Sequence, residues 1–187
     1  HRSDEGKISC ELKAPQALSL GEALPVEMVA AAVSLSESDF NTDTHSPMLA
    51  SVGLPFVMVE LRDRSALEKA AIHADGFEQI AALGIMPDIH LYVQSRDEFD
   101  VRARMFAPHD GVPEDPATGS ANCALAGLLG HFHPSESGML EWQIAQGVEM
   151  GRPSLLNARV EKLDGKVLSS WIGGNCVLVS EGYIYRD

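Results

Sequence analysis

Hydrophobic and polar positions alternate, or gather in short apolar runs, along most of the chain, and both patterns are typical of β-strands. The opening segment 7–12 alternates polar and apolar residues until Ala14-Pro15-Gln16-Ala17 breaks the pattern. Further strands are predicted over 48–61 (interrupted at Gly53-Leu54-Pro55), 89–93, 101–106, 140–145, 155–163, 167–172 and 176–180. Helices are predicted over 26–35, 65–73 and 76–83, and the turn-rich segment 36–47 is predicted to be a loop. Because the helices do not alternate regularly with the strands, a doubly wound parallel sheet is not expected.

One further helix differs in kind from the others. Residues 121–129 are nearly all small or apolar on every face, and a helix of that composition has to be buried. We expect it to begin at Thr118-Gly119-Ser120, with Thr118 as the N-cap, and to stop at Gly130.

Composition narrows the class of protein. The 187 residues are 45% hydrophobic and 22% charged, which is ordinary for a globular domain. The formal net charge of −13 argues against nucleic acid and against an anionic membrane surface as partners. No apolar run approaches the roughly 20 residues that span a bilayer, so a soluble protein is expected. The three cysteines have no CxxC spacing, which predicts neither a disulfide framework nor a zinc site and favours a cytoplasmic location.

The candidate chemistry lies at the start of the buried helix. The first-turn amides of Gly119, Ser120 and Ala121 lack intrahelical partners and can bind a carboxylate or phosphate, and Gly119 has no Cβ to obstruct it. Glu114 and Asp115 stand just before, as a proton-transfer group beside a bound carboxylate would. The residues alone leave a second interpretation open, since acidic residues before a helix are common dipole partners and Thr-Gly-Ser is common capping chemistry.

Three separated motifs, in this order, are similar to landmarks of the phenazine-biosynthesis PhzF family. The longest is Arg104-x-Phe106-x-Pro108, then Gly111, then Glu114-Asp115-Pro116-Ala117-Thr118-Gly119-Ser120-Ala121. The others are Gly53-Leu54-Pro55-Phe56 and Gln146-Gly147 followed by Met150-Gly151-Arg152-Pro153-Ser154. The resemblance runs from about Lys7 to the C-terminus.

The resemblance implies an α+β fold of the diaminopimelate-epimerase type, in which each of two lobes wraps a mostly antiparallel sheet around a central helix. It implies an isomerase that needs neither cofactor nor metal and moves a proton within a small carboxylate, dihydro-hydroxyanthranilate-like or amino-acid-like. The substrate would meet Thr118, Gly119, Ser120 and Ala121, and Asp115 would be the catalytic residue of this lobe. The related epimerases carry a cysteine at the Asp115 position, so cysteine-based racemisation is not expected.

Members of that family are longer at the N-terminus, where a first lobe supplies the principal glutamate and a histidine. We therefore expect residues 1–24 to hold the last strand of that lobe and a linker, 25–182 the second lobe, and 183–187 a terminal strand that can return to the first lobe. The full protein is expected to be a homodimer. Without a general acid/base worth roughly 10²–10⁴ in rate, this half alone should be nearly inert.

Two other hypotheses stay open. The chain can be a catalytically silent member of the same fold that binds a small carboxylate or another protein, or a free-standing lobe that self-associates to cover its apolar face.

Several reactive side chains are expected to be structural. Cys123 should fill the core, and His131 and His133 should lie in a loop rather than bind a metal. For three others a role in the cleft stays open beside a structural one: His109, Asp110 and Arg152.

Overall fold

The computed structural model describes residues 8–95 and 97–185. The strands are β1 (Ile8–Lys13), β2 (Ser19–Ala23), β3 (Met48–Ser51), β4 (Pro55–Glu60), β5 (Ile89–Gln94), β6 (Val101–Ala107), β7 (Val112–Asp115), β8 (Gly138–Gln146), β9 (Ser154–Leu163) and β10 (Lys166–Cys176). The α-helices are α1 (Val26–Ala32), α2 (Arg64–Lys69), α3 (Ala74–Ala81) and α4 (Gly119–Phe132), and short 3-10 turns occupy Glu37–Asp39 and Pro108–Asp110.

All ten strands join one sheet, in the order β1-β10-β9-β8-β6-β5-β4-β3-β2, with β7 paired to β6. The neighbours are antiparallel except β4–β5 and β6–β8, which are parallel. The sheet curls around α4, which contacts β3, β4, β8, β9 and β10. The predicted α+β fold, a mostly antiparallel sheet around a buried central helix, is confirmed.

The sheet has a core on each face. On the inner face, Phe56 and Met58 pack in the cluster that surrounds α4, while on the outer face Val57 and Val59 pack beneath α1, α2 and α3. This double burial explains why the sequence of β4 is a continuous apolar run rather than an alternation.

The strand predictions need correction in two respects. The strand predicted at 167–172 is confirmed within β10, but the one predicted at 176–180 is wrong: β10 runs unbroken to Cys176 because its glycines stay paired with β1, and residues 177–185 form no strand. The strands Ser19–Ala23 and Val112–Asp115 were not predicted. Both are short and largely exposed, so they carry too few buried positions to produce an alternating pattern.

The end of α4 also differs from expectation. The helix passes through Gly130 and ends at Phe132, because this glycine is a packing residue: a Cβ there would lie 2.7 Å from Val160 Cγ2. Lys162 closes the helix instead, since its Nζ donates to the carbonyl oxygens of His131 (3.3 Å) and His133 (2.7 Å).

The predicted division at residues 24 and 182 stays a prediction. β1 pairs with β10 along its length, so residues 8–13 belong to the same sheet as the rest of the described chain. Residues 1–7, Arg186 and Asp187 lie outside the described residues, and residues 183–185 are almost fully exposed. Within the described ranges, no helix is long and apolar enough to cross a membrane.

Candidate functional site

The two acidic residues of β7 point in opposite directions, because successive side chains of a strand alternate. Glu114 forms a two-point ion pair with Arg104, at 2.8 Å to Nε and 2.9 Å to Nη2. The same guanidinium donates to the carbonyl oxygens of Leu67 and Ala70. Glu114 is therefore part of the internal packing and is separated from Asp115.

Asp115 is held by the residue that begins the central helix. The Thr118 hydroxyl donates to Asp115 Oδ2 at 2.6 Å. Thr118 occupies the N-cap position as predicted, but its side chain makes no capping hydrogen bond to the helix. The hydroxyl is committed to the carboxylate instead.

A buried glutamine to which the sequence analysis assigned no role in the site joins these residues. Gln146, at the end of β8, is fully buried, and its Nε2 donates to Asp115 O (2.6 Å) and to Thr118 Oγ1 (2.9 Å). Its Oε1 accepts from Thr118 N (3.2 Å) and from Asn122 Nδ2 (2.5 Å). The available signal was the Gln146-Gly147 match.

Gly147 brings the Gln146 segment against the residues that precede α4. It has φ +77°, and a Cβ there would lie 2.8 Å from Pro116 O. Only glycine fits this approach, which explains why this dipeptide accompanies the longer motif.

The polar contacts continue into the core. Asn122 Nδ2 also donates to Thr118 O (2.9 Å), and Asn122 Oδ1 lies 3.2 Å from His90 Nε2. Burial lowers the pKa of His90 to about 4, against a smaller opposing effect of the Asn122 hydrogen bond, so His90 is neutral at pH 7. Among the described residues, His90 Nδ1 has no hydrogen-bond partner.

A cavity of about 430 Å³ opens at the first turn of α4. It is lined by Leu12, Lys13, Ala14, Pro15, Gln16, Val52, Gly53, Leu54, Gly119, Ser120, Cys123 and Ile172. A Cβ on Gly119 would meet only Ile172 Cγ2, at 3.9 Å, so the space beside this glycine is open. A second cavity of about 470 Å³ shares Leu12, Gly119 and Ile172 with the first and extends toward Pro153 and Cys176.

The amides of this turn divide into bound and free groups. Thr118 N is bound to Gln146, and Asn122 N bonds to Thr118 O at 3.1 Å. The intervening residues Gly119, Ser120 and Ala121 are the first-turn positions that an α-helix leaves without an intrahelical acceptor.

The predicted site residues are therefore only partly brought together at the cavity. Gly119 and Ser120 line the first cavity. Among the described residues, neither cavity is lined by Ala121, which is fully buried, or by Asp115 or Thr118. Asp115 is half-buried and is connected to the cavity wall through Thr118 and the backbone that leads into Gly119.

The remaining reactive side chains lie elsewhere or are inert. Burial raises the pKa of the Cys123 thiol to about 11, which keeps it protonated at neutral pH. His109 Nε2 lies 3.3 Å from Glu78 Oε1, and the turn that carries it ends at Gly111, consistent with its structural interpretation. Arg152 is exposed. The part of the chain that the structure describes contains no cluster of His, Cys, Asp or Glu able to hold a metal ion.

Comparisons with known proteins agree with this architecture. The family model for phenazine biosynthesis-like protein matches residues 1–182. The chain is 33% identical over 184 residues to the trans-2,3-dihydro-3-hydroxyanthranilate isomerase of Pseudomonas aeruginosa, covering 98% of this chain and 62% of that protein. It is 30% identical over 178 residues to an uncharacterized isomerase of Mesorhizobium japonicum, covering 92% and 58% respectively.

The fold has a solved counterpart in a PhzF-family phenazine biosynthesis protein of Bacillus anthracis. The TM-score is 0.80 at 18% identity, over 95% of this chain and 64% of that one. The chain thus spans between 58% and 64% of the length of these three proteins.

Proposed function

The chain belongs to the phenazine biosynthesis-like (PhzF) family, and we propose that it is the carboxylate-binding lobe of an isomerase that moves a proton within a small carboxylate substrate. The observation that carries this proposal is the open cavity at the first turn of α4, where Gly119 and Ser120 line a space of about 430 Å³. Free amides and the positive end of the helix favour an anion there.

The rest of the cavity suits an apolar body attached to that carboxylate. Leu54, Val52 and Ile172 line it, and Lys13 is the basic side chain among the described lining residues. A small carboxylic acid with a hydrocarbon skeleton matches this combination better than a highly charged metabolite such as a nucleotide.

Asp115 is the proposed proton-transfer group of this lobe. Its Oδ2 accepts the Thr118 hydroxyl, and its Oδ1 has no hydrogen bond within the described ranges. A half-buried carboxylate with one oxygen fixed and one free can hold or accept a proton at the free oxygen.

The exposed apolar wall of the cavity supports a covering lobe. Leu12 is 69% exposed and Leu54 is 62% exposed. Exposed apolar side chains grouped at a cavity mark a surface that binds something. We propose that a first lobe of the same protein covers them and supplies a second acid/base group, with the lobe boundary near residue 24.

A second candidate, carboxylate binding without turnover, is favoured for this chain by itself. No histidine, aspartate or glutamate occurs among the described residues that line the cavity, and Cys123 there is protonated. Moving a proton from one carbon atom to another usually requires an acid/base group at the carbon that loses the proton and one at the carbon that gains it.

Titration calorimetry with benzoate as probe tests the binding proposal, and Gly119→Ala is the matching variant. The added methyl fits the fold but occupies the approach to the amides, so benzoate affinity should fall by up to about 30-fold. Gly182→Ala is the control, because a Cβ at Gly182 meets nothing within 4 Å. Unchanged affinity in Gly119→Ala would show that the carboxylate does not bind at this turn.

Proton NMR in D₂O with trans-2,3-dihydro-3-hydroxyanthranilate separates the two candidates. Binding without deuterium incorporation or product supports the silent lobe, and turnover that is lost in Asp115→Ala supports the isomerase. Turnover that persists in Asp115→Ala would exclude Asp115 as the proton-transfer group.

A further inference from the structure

We propose that Gln146 is a positioning residue: it holds the Asp115 carboxylate in one orientation by controlling the Thr118 hydroxyl. The functional meaning of this inference rests on the proton-transfer role proposed for Asp115. The geometry that carries it is independent of that role.

The orientation of the Gln146 carboxamide follows from the chemistry of its partners. Asp115 O is a carbonyl oxygen and can only accept, so the group 2.6 Å from it must be the NH₂. Thr118 N–H can only donate, so the group 3.2 Å from it must be the carboxamide oxygen. The carboxamide oxygen of Gln146 then accepts a second hydrogen bond from Asn122 Nδ2, and its NH₂ group donates a second one to Thr118 Oγ1.

This orientation determines where the hydroxyl hydrogen points. Gln146 Nε2 donates into Thr118 Oγ1 at 2.9 Å, so the one hydrogen of that hydroxyl is left for Asp115 Oδ2 at 2.6 Å. The carboxylate thus receives a hydrogen bond at Oδ2, and Oδ1 is the oxygen left for a substrate.

The far end of the network is fixed in the same way. Asn122 Nδ2 donates to Thr118 O, which can only accept, and this turns Asn122 Oδ1 toward His90 Nε2 at 3.2 Å. The buried His90 is neutral and therefore carries one N–H. Because Asn122 Oδ1 can only accept, this N–H is on Nε2 and donates to Asn122. Neither amide can rotate without leaving buried polar atoms unpaired.

The test measures the side-chain conformation of Asp115 in the folded chain. Three-bond couplings from the backbone nitrogen and carbonyl carbon to Asp115 Cγ report whether one χ1 rotamer is populated or several are averaged. We expect one rotamer in the parent chain and in Thr118→Ser, which keeps the hydroxyl. We expect rotamer averaging in Thr118→Val, which loses the hydroxyl, and in Gln146→Asn, which keeps the carboxamide but shortens it by one methylene.

Ser170→Ala is the matched control. Ser170 Oγ is a buried hydroxyl without a hydrogen-bond partner in the described part of the chain, so its loss should leave the Asp115 couplings unchanged. A single Asp115 rotamer in folded Gln146→Asn would overturn the positioning role of Gln146, and a single rotamer in folded Thr118→Val or averaging in Thr118→Ser would overturn the role of the hydroxyl through which it acts. If Gln146→Asn does not fold, Gln146→Met, which also removes the two donors, replaces it with the same two outcomes.

The outcome is separable from that of the proposed function. Benzoate binding tests the anion site, whereas the couplings are measured without a ligand. If the chain does not bind benzoate but the Asp115 couplings show one rotamer and respond to the variants as expected, the proposed function alone is refuted. Binding with Asp115 couplings that do not respond to these variants would refute the positioning role alone.

Discussion

Replacing Glu114 by alanine should destabilise the fold strongly, because it leaves the Arg104 guanidinium buried and without its anion. The side chains of Arg104 and Glu114 are only 10% and 15% exposed, so water replaces little of the lost interaction. Two charged hydrogen bonds, of 2.8 and 2.9 Å, disappear together. Removing one partner of a buried ion pair costs about 3–5 kcal/mol. For a domain of this size that lowers Tm by about 6–20 °C.

Urea unfolding followed by circular dichroism measures the loss, and the neighbouring Asp115→Asn is the matched control. Asp115 is half-buried and an asparagine oxygen can still accept from Thr118, so the control should lose about 1 kcal/mol or less. The double variant Arg104→Met with Glu114→Ala should recover much of the stability, because no unpaired charge remains. A Glu114→Ala loss below about 1 kcal/mol would refute the structural assignment of Glu114 and leave it available for the site.

Three further predictions concern packing, capping and pH. Gly130→Ala should cost about 1–3 kcal/mol, because the new Cβ would lie 2.7 Å from Val160 Cγ2; a urea midpoint equal to that of the parent chain would contradict this. Lys162→Met removes the donor to two carbonyl oxygens at the end of α4, so amide hydrogen exchange in the last turn should accelerate, and unchanged protection would argue against the cap. Burial, reinforced by Asp110 and opposed by a nearby histidine, raises the pKa of Asp88 from its usual 3.8 to about 6. The folded state therefore binds a proton that the unfolded state has already released. The contribution of Asp88 to the free energy of unfolding should decline by about 1–3 kcal/mol from about pH 4 to about pH 6. Because the lowered pKa of His90 acts in the opposite direction over this range, the measurement is the difference between the parent chain and Asp88→Asn in unfolding curves. The parent should lose that amount relative to the variant, and a difference that does not change with pH would contradict the prediction.

The periodicity of the sequence was sufficient for most elements. Strong alternation located β1 and β9, and the run at 56–59 located β4. The all-apolar composition of 121–129 predicted the buried central helix, whereas the fold class was implied by the motif resemblance. These signals are local, since each depends on which residues within one segment must leave water.

Such local signals could not predict elements whose formation depends on a neighbouring segment of the fold. β7 is a strand because β6 lies beside it, and residues 177–180, which are apolar enough to predict a strand, form none in the described chain. Glycine is a residue type that commonly ends helices, yet Gly130 lies within α4 and permits close contact with β9. Which role a glycine has depends on the residue opposite it, and that residue is set by the tertiary fold.

The candidate site likewise has features that the sequence predicted and features that only the structure revealed. The sequence alone located the first turn of α4, and the motif resemblance pointed to Asp115. The residues by themselves did not separate Asp115 from Glu114, because side chains of adjacent strand residues face opposite sides and the side that holds Arg104 is set by the tertiary structure. Only the structure joined Gln146 to Thr118, across 28 residues, at a hydrogen-bond distance. A buried amide shows no hydrophobic periodicity, and its role comes from the donors and acceptors that distant segments bring to it.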